Sequence, residues 1–562
     1  MSIPFSLSNV AKIAISEVNG DATLATGGSG MTTFAGLVLA NKGKPFEVLS
    51  VNRDNWRTVL GQPWHPTQTG YESLRHVNEA VQGGSGLVVR VVPSAAKYPY
   101  IKLVDATVEP SEGSDAQSGN SPSEAGAPVA ADNKRRKAKT VARATAAPKT
   151  ETVKVENGSQ SFGSDVELED GDLLAIWIED GDASANRAIE INKADEKIYG
   201  EGMFTLRLMQ RDESGNEVKQ EEHYISFDPV SVNDMGAPAY IVTVLENANS
   251  AMRAIVGQDA DKRVEKMDLT YFTGGTGGNL NQITNEDYMK AVQALRSTIS
   301  QYTAVLGLGC YDEAILNELT DICTNRRIDG FFDVPSHLSY DGACEWLEDL
   351  SMNNHRTSWY HLPFSSKDPF FGSQVLYGMS GLAFRAKSIG VAKNSPTGGW
   401  HYTAAGQERA TIDRPGLRPL PGIGLADEER MYRTRLNKVG TTQTGALFID
   451  DSLTACVREN HLRYQQVSSV ADAISRDFYA LCTQLKHQPD GVTGGGLEDG
   501  MTRILDSFVA TGALVTPTDP ADGSNPYEFW IEKAEHDLWQ VRWAICVTGS
   551  ARRFLGQPEL IR

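Results

Sequence analysis

Four glycines between residues 274 and 278 are the feature of the sequence that comes nearest to a ligand-binding loop. Gly274, Gly275, Gly277 and Gly278 follow the run LTYF and precede a helical pattern, which is the order of elements around a phosphate-binding loop. The Lys-Ser/Thr pair of a P-loop is missing, and so is the third-glycine spacing of a dinucleotide-binding fold. A nucleotide site and a turn between domains therefore stay open as interpretations, and the missing residues favour the turn.

The histidines and acidic residues give no pattern typical of a metal or catalytic centre. His355 and His361 are close in sequence, but a six-residue gap does not align two side chains on a helix. Asp333 ends a predicted parallel strand, where α/β enzymes place catalytic groups. A strand-ending turn in which Asp333 binds local backbone explains it at least as well, because no nucleophile or base is near it in sequence. We therefore predict no catalytic residue, no cofactor, no metal site and no enzyme activity.

The composition is that of a folded, acidic protein of several domains. The chain has 562 residues and a formal net charge of −19, and this length exceeds one ordinary core. The negative charge argues against nucleic acid as the main partner, because that binding depends on cationic surface. Six cysteines without a C-x-x-C pair indicate reduced thiols rather than a zinc or disulfide framework. The sequence shows no signal peptide and no run long enough for a membrane helix, so we expect no membrane insertion.

The first 95 residues predict an arm over 1–30 and an α/β layer over 31–95. In the arm, Val10, Ile13 and Ile15 form a strand-like patch that is too short to bury a core of its own. A frayed terminus is the alternative. In the layer, the runs FAGLVLA, FEVLSV, NRDNWRTVLG, YESLRHVNEAVQGG and LVVRVVP give the order β–β–α–α–β.

Residues 96–245 predict an inserted, partly disordered, β-rich domain. The stretch EPSEGSDAQSGNSPSEAGAPVAADN is small, polar and acidic, and it cannot form a core. It leads into the basic tract KRRKAKTVARATAAPK at 134–149. A nucleic-acid or surface-binding patch and a solvated loop both stay open there, and the composition favours the loop. Alternating runs on either side of DESGN predict a β-hairpin.

Residues 246–460 predict an α/β core. EDYMKAVQALRSTI and DEAILNELTDICTNRR have helical periodicity, and YTAVLGLG and GFFDVP are buried-type strands. This alternation is typical of a parallel, doubly wound sheet.

Residues 461–562 predict a C-terminal domain of helices followed by a terminal strand. In DLWQVRWAICVTG one face carries five bulky apolar residues, which are Trp539, Val541, Trp543, Ile545 and Val547. Such alternation predicts a half-buried strand, and an extended piece through Leu560 and Ile561 follows it. The predicted fold class is thus α/β (α+β, multidomain), with a central doubly wound α/β core, an inserted small β domain and extended terminal arms.

The order of these segments resembles the contractile tail sheath family of phages, R-type bacteriocins and related injection machines. The resemblance is carried by TTFAGLVLANKGKPFEVLSVNRDNWRTVLG, YESLRHVNEAVQGGSGLVVRVVP, YFTGGTGGNLNQITNEDYMKAVQAL, RRIDGFFDVP, GGWHYTAAGQ and RTRLNKVGTTQ. It covers about 33–95 and 225–560. Each motif is loose by itself, and their order and spacing make the resemblance. The family's W-G-x-R-T piece is not recognisable in ALFIDDSLTACVRENHLRYQQV, so the chain would be a divergent branch.

The resemblance implies a structural subunit that polymerises as stacked hexameric rings around an inner tail tube and contracts to drive the tube through the host envelope. The implied partners are further copies of the chain, the tail tube protein, and the baseplate and tail terminator proteins. The implied location is the virion tail, assembled in the host bacterial cytoplasm. In the family, an N-terminal arm and a C-terminal strand complete a sheet in neighbouring subunits. The residues that would carry this intersubunit strand exchange here are Val10, Ile13, Ile15, Trp539, Val541, Trp543, Ile545, Val547, Leu560 and Ile561.

Two other functions stay open. One is a different tail structural component, such as a sheath terminator or a baseplate protein. The other is an α/β enzyme with an inserted β domain, which would need a ligand pocket at Gly274–Gly278 or at Asp333.

Overall fold

The computed structural model describes residues 32–106, 153–178, 186–200, 202–212, 214–248, 250–394 and 397–553. The strands are β1 (Thr33–Val38), β2 (Val48–Val51), β3 (Ser85–Arg90), β4 (Lys97–Asp105), β5 (Val153–Ser161), β6 (Asp172–Ile178), β7 (Arg187–Lys193), β8 (Phe204–Arg211), β9 (Glu217–Ile225), β10 (Met252–Val256), β11 (Met267–Tyr271), β12 (Ala304–Leu306), β13 (Asp329–Asp333), β14 (Thr357–Tyr360), β15 (Phe364–Lys367), β16 (Gln374–Val375), β17 (Arg418–Pro419), β18 (Leu436–Asn437), β19 (Val439–Thr441), β20 (Leu447–Ile449), β21 (Tyr527–Lys533) and β22 (Trp539–Ile545). The helices are α1 (Trp56–Leu60), α2 (Ser73–Ala80), α3 (Glu196–Tyr199), α4 (Ile241–Asn247), α5 (Ala260–Arg263), α6 (Asn285–Ser297), α7 (Glu313–Arg326), α8 (Tyr340–Leu350), α9 (Ser380–Ala392), α10 (Glu428–Thr434), α11 (Gln465–Leu485) and α12 (Asp490–Ala510).

The chain divides into two compact units. The core unit contains the described residues up to Ala96 and from Gly277 onward, and the inserted unit lies between Lys97 and Thr276. The predicted arm at 1–30 and the basic tract at 134–149 lie outside the described residues. The division into five segments made from the sequence stays a prediction.

A seven-stranded sheet organises the core unit, in the order β18-β14-β13-β12-β1-β3-β2. All neighbouring pairs are parallel except β2 with β3. Strands from the start of the chain and strands from beyond the insertion therefore share one sheet. Side chains alternate between its faces, so that Phe34 packs in one apolar cluster and Ala35 in another. The doubly wound α/β class predicted from the sequence is confirmed, because helices cover both faces.

The helices of the core unit separate cleanly between the two faces of the sheet. Residues of α1, α2 and α9 belong to the apolar cluster on the face of Phe34, whereas residues of α6, α7 and α8 belong to the cluster on the other face. Side-chain caps fix the starts of two of these helices. Asp312 accepts hydrogen bonds from the first turn of α7, and Thr284 forms a capping box with Asp287 at α6.

The C-terminal part of the core unit consists of α11, α12 and the strands β21 and β22. The two helices pack on each other and share an apolar cluster that includes Ile474, Phe478 and Phe508. The hairpin β21–β22 packs on the same cluster. None of the described helices is long and apolar enough to cross a bilayer.

The inserted unit is built from two antiparallel sheets, in the orders β10-β6-β4-β5 and β11-β7-β8-β9. One apolar cluster contains residues of both, including Ile176 and Leu206. The hairpin predicted around DESGN is confirmed, because Arg211 of β8 pairs with Glu217 of β9.

Candidate assembly interface

The most informative element for function is the antiparallel hairpin β21–β22 near the end of the described chain. Phe529 lies opposite Trp543, and Ile531 lies opposite Val541. These side chains point to one face and pack on the cluster of α11 and α12. The rings of Trp543 and Phe478 are 5.0 Å apart between centroids, which is the range of favourable aromatic contacts. The bulky face predicted from alternation is therefore used within the chain itself.

Within the part of the chain that the structure describes, the outer edges of the hairpin are unpaired over most of their length. Among the described residues, β21 and β22 form a sheet of only two strands. Beyond β22, the segment at 513–515 covers the edge, because the Val515 amide donates to the Cys546 carbonyl at 3.0 Å and the Thr548 amide to the Ala513 carbonyl at 2.9 Å. Open strand edges are templates for pairing with another chain. The hairpin thus offers main-chain donors and acceptors to an added strand.

The outer face of the hairpin is polar except for one large aromatic residue. Trp530 is 48% exposed, and the Arg542 guanidinium lies 5.9 Å from its ring centroid. Glu528 and Glu532 flank it and are exposed. Tryptophan and arginine are the residues most enriched at energetic centres of protein interfaces.

A cavity of about 420 Å³ lies beside the end of β22. Its walls are the chain from Cys546 to Arg553 and the start of α11. Gln466 lines it and is 3% exposed, and the Gln466 Oε1 atom has no hydrogen-bond partner among the described residues. A buried acceptor without a donor is costly, so this cavity suits a partner that brings an N–H group.

The residues predicted for strand exchange fall into two groups. Trp539, Val541, Trp543 and Ile545 lie on β22, and Val547 follows it and bridges to Leu514. The others, Val10, Ile13, Ile15, Leu560 and Ile561, lie outside the described residues. Their exchange between subunits therefore stays a prediction.

Sequence reasoning missed the partner strand β21. The run YEFWIEK alternates bulky and charged residues as clearly as β22 does. Together with the short connection at 534–538, this alternation was a usable hairpin signal. The terminal strand was predicted to take part in exchange between subunits, and within its own chain it pairs with β21 along seven residues.

The glycine stretch serves the backbone. Gly274 and Gly278 have φ values of +87° and +69°, which side chains rarely adopt. A Cβ atom on Gly278 would lie 2.5 Å from Cγ of Pro93. Thr276, between them, exchanges two hydrogen bonds of 2.9 Å with Lys97. Backbone conformation and close packing therefore account for Gly274 and Gly278, which agrees with the interpretation of this stretch as a turn.

Asp333 is a buried helix cap. Its Oδ1 atom accepts hydrogen bonds from the amides of Met379 at 2.6 Å and Ser380 at 2.9 Å, at the start of α9. The prediction that Asp333 binds backbone is thus correct in kind, but the backbone belongs to α9 rather than to the adjacent turn. Burial raises the pKa of this carboxyl.

His76 completes a set of side chains that superficially has the composition of a hydrolytic triad. The Nδ1 atom is 3.3 Å from Ser380 Oγ, and the Nε2 atom is 3.7 Å from Asp333 Oδ2. Burial alone would lower the pKa of His76, but the charges of Asp333 and Glu72 outweigh it and raise that pKa. His76 and Ser380 have no exposed surface and Asp333 is 2% exposed. A substrate has no access to them, so the set joins β13, α2 and α9 rather than forming an active site.

The fold of the chain, but not its sequence, matches known proteins. No protein-family profile matches the sequence, and no curated protein matches it. Among solved structures, a sheath tail protein from Listeria innocua is similar with a TM-score of 0.51 and 10% identity, over 93% of this chain and 96% of that chain. A sheath tail protein from Desulfitobacterium hafniense has a TM-score of 0.47 and 10% identity, over 94% and 99%. The PVC sheath of an extracellular contractile injection system, in the contracted state, has a TM-score of 0.39 and 15% identity, over 48% and 73%.

At such low identity the similarity speaks for the fold alone, and it is the Listeria innocua protein that carries this conclusion. The resemblance found in the sequence motifs is confirmed at this level. Along nearly its whole length, the chain has the fold of a contractile-tail sheath protein.

Proposed function

We propose that this chain is the structural subunit of a contractile tail sheath. It polymerises as stacked hexameric rings around an inner tail tube and contracts to drive that tube through the host envelope. The observation that carries the proposal is the shared fold over 93% of the chain with a sheath tail protein. Its partners are other copies of the chain, the tube protein, and the baseplate and terminator proteins. Its place is the tail of a virion or of a phage-derived machine, assembled in the bacterial cytoplasm.

Strand exchange is the means by which the subunits are linked. The open edges of β21 and β22 receive extended segments of neighbouring copies, which come from residues 1–30 and from the residues after Arg553. Each main-chain hydrogen bond adds about 0.5–1.5 kcal/mol net, so a strand that pairs along β22 gains several kcal/mol without a large flat interface. This supports a polymer whose subunits rotate as bodies while the linking strands stay paired.

The charge of the chain makes such directional links necessary. With a formal net charge of −19, subunits repel each other at long range. Salt screens that repulsion over about 8 Å at physiological ionic strength. Polymerisation of the purified protein should therefore be promoted by moderate salt, whereas contacts made by hydrogen-bonded strands persist.

Electron microscopy of negatively stained protein tests the proposal. The wild-type chain, alone or with its tube protein, should form long striated tubes. Removal of 554–562 or of 1–24 should leave a folded subunit that forms no long tubes. The matched control is removal of nine residues at 112–120 in the acidic stretch, which should leave tube formation intact. Normal tubes from the chain that lacks both terminal segments would refute strand exchange.

The same images separate the alternatives. A sheath terminator or baseplate protein would stop at a single ring. An α/β enzyme would form neither, and a nucleotide or sugar would raise its unfolding temperature in a thermal-shift screen. Either result would replace the sheath proposal.

A further inference from the structure

The last described residues are attached to the core unit by one side chain. Arg552 forms a two-pronged ion pair with Asp451, in which Nε donates to Oδ1 at 2.9 Å and Nη2 donates to Oδ2 at 2.6 Å. The Asp451 carboxylate is itself fixed, because its Oδ1 atom accepts from the Ser452 amide at 2.8 Å. The Asp451 side chain is 10% exposed and the Arg552 side chain is 24% exposed.

Two aromatic rings hold the arginine in place. The Arg552 guanidinium carbon lies 5.5 Å from the ring centroid of Tyr432 and 5.4 Å from that of Tyr464. Tyr432 belongs to α10, and Tyr464 is the N-cap of α11. An exposed ion pair contributes little to stability. A bidentate, partly desolvated pair with cation–π contacts on two rings is a stronger and more directional attachment.

The Arg552–Asp451 pair lies just before the residues that are proposed to bind a neighbouring subunit. Before it, the backbone is held at Thr548, whose amide donates to Ala513. Between these points Gly549, Ser550 and Ala551 are exposed and make no backbone hydrogen bond to another described residue. After it, the chain continues from Arg553 into the residues that the proposed strand exchange assigns to a neighbouring copy. Arg552 therefore sets the point from which the terminal residues can reach another molecule.

We propose that the Arg552–Asp451 pair is a positioning clamp, which fixes where the C-terminal residues leave the subunit and transfers tension on them into α10 and α11. This role rests on the proposed strand exchange, in which those residues bind a neighbouring copy of the chain. Without the ion pair, residues 549–553 lose their fixed conformation. They must then become ordered each time two subunits bind. Ordering one residue corresponds to roughly a five- to thirtyfold loss in an association constant.

Assembly of the full chain tests the clamp against a matched ion pair. The variants are Arg552→Ala and Asp451→Ala, and the control is Arg430→Ala, because Arg430 is also 24% exposed and pairs with Glu348 at 3.0 Å. The unfolding temperature of the unassembled subunit is measured for all three, so that a loss of stability can be separated from a loss of assembly. The subunit concentration that remains after tubes are sedimented should rise at least about fivefold in the first two variants and stay near wild type in the control.

Two further variants distinguish the geometry of the Arg552–Asp451 pair from its charge alone. The exchanged pair Arg552→Asp/Asp451→Arg should recover most of the assembly. Arg552→Lys should be intermediate, since lysine keeps the charge but lacks the planar fork, and it serves as the test if the alanine variant does not fold. Assembly of Arg552→Ala that equals that of Arg430→Ala would overturn the clamp.

Limited proteolysis of the unassembled subunit tests the clamp without tube formation. Trypsin cleaves after Arg552 and Arg553, and cleavage of a transiently open site follows the population of the open form. Mass spectrometry should show release of the C-terminal fragment at least about fivefold faster from Asp451→Ala than from wild type or Arg430→Ala. Equal release would overturn the clamp, whereas a wild-type chain that forms no tubes would overturn the proposed function.

Discussion

The ion pair between Arg356 and Asp472 should decide whether the C-terminal helices stay attached to the sheet. Arg356 precedes β14, and Asp472 lies in α11. They are 2% and 1% exposed, and Nε and Nη2 reach the two carboxylate oxygens at 2.5 and 2.8 Å. Burial would raise the pKa of Asp472, but the Arg356 charge outweighs it and lowers that pKa. The pair is therefore charged on both sides in a dry interior.

The expected loss of stability depends on which charged group each substitution leaves in the interior. Arg356→Met removes the guanidinium that binds the buried Asp472 carboxylate, and Asp472→Leu removes that carboxylate from Arg356. Each loss costs about 3–5 kcal/mol. The double variant removes both members of this pair, so its cost should be far below the sum of the two. At about 2–4 °C per kcal/mol for domains of this size, each single variant should unfold roughly 6–20 °C earlier.

Differential scanning calorimetry of the unassembled subunit measures the unfolding temperature. The fluorescence of the hairpin tryptophans identifies the transition in which α11 unfolds. The single variants should also lose tube formation, because α11 supports β22. Arg385→Met is the control, since its partner Asp413 is 63% exposed and the loss should stay below about 1 kcal/mol. Single variants that cost less than about 1 kcal/mol, or a double variant as unstable as their sum, would refute the reasoning.

Three further predictions concern the neighbouring elements. Gly491→Ala and Gly495→Ala in α12 meet open space and should each stabilise the subunit by about 0.5–1 kcal/mol in thermal unfolding. Gly381→Ala in α9 should destabilise it, because its Cβ would clash with the backbone carbonyl oxygen of His76; a stabilised variant would contradict this. Burial lowers the pKa of His76, but the charges of Asp333 and Glu72 outweigh it and raise that pKa. The stabilisation that the charged His76 provides is therefore complete below the unfolded pKa of about 6.5 and is lost as pH rises through the folded pKa. The gap in unfolding temperature between wild type and His76→Gln should therefore narrow as pH rises above about 6.5, and a constant gap would exclude His76 as the cause. Trp543→Ala removes a partly buried ring, so it should cost less than the roughly 3–5 kcal/mol lost at a fully buried tryptophan. It should still abolish tubes, and intact tubes would show that the hairpin is dispensable.

The parts of the fold that sequence patterns predicted are those with local causes. The helices α6 and α7 follow from their 3.6-residue periodicity and from capping residues such as Asp312. The strand β13 follows from a short apolar run that ends before Pro335. The alternation from Trp539 to Ile545 predicted both the strand and its buried face.

The parts that were missed depend on contacts between distant residues. Asp333 binds amides 46 and 47 positions further along the chain, and no local pattern specifies such a partner. The same is true of Arg552 and Asp451, which are 101 positions apart. The joining of β1 with β12 across the insertion is likewise set by packing on both faces of the sheet and not by either strand alone.

The two ends of the inserted unit meet at one place, since Lys97 and Thr276 exchange a pair of backbone hydrogen bonds. A tight turn can therefore close the chain there as well as a whole domain can. Domains inserted between adjacent ends are gained, lost and replaced with little effect on their host. The β sheets between these two residues should therefore be replaceable as one block, and the same junction is a natural place to graft a foreign domain for display.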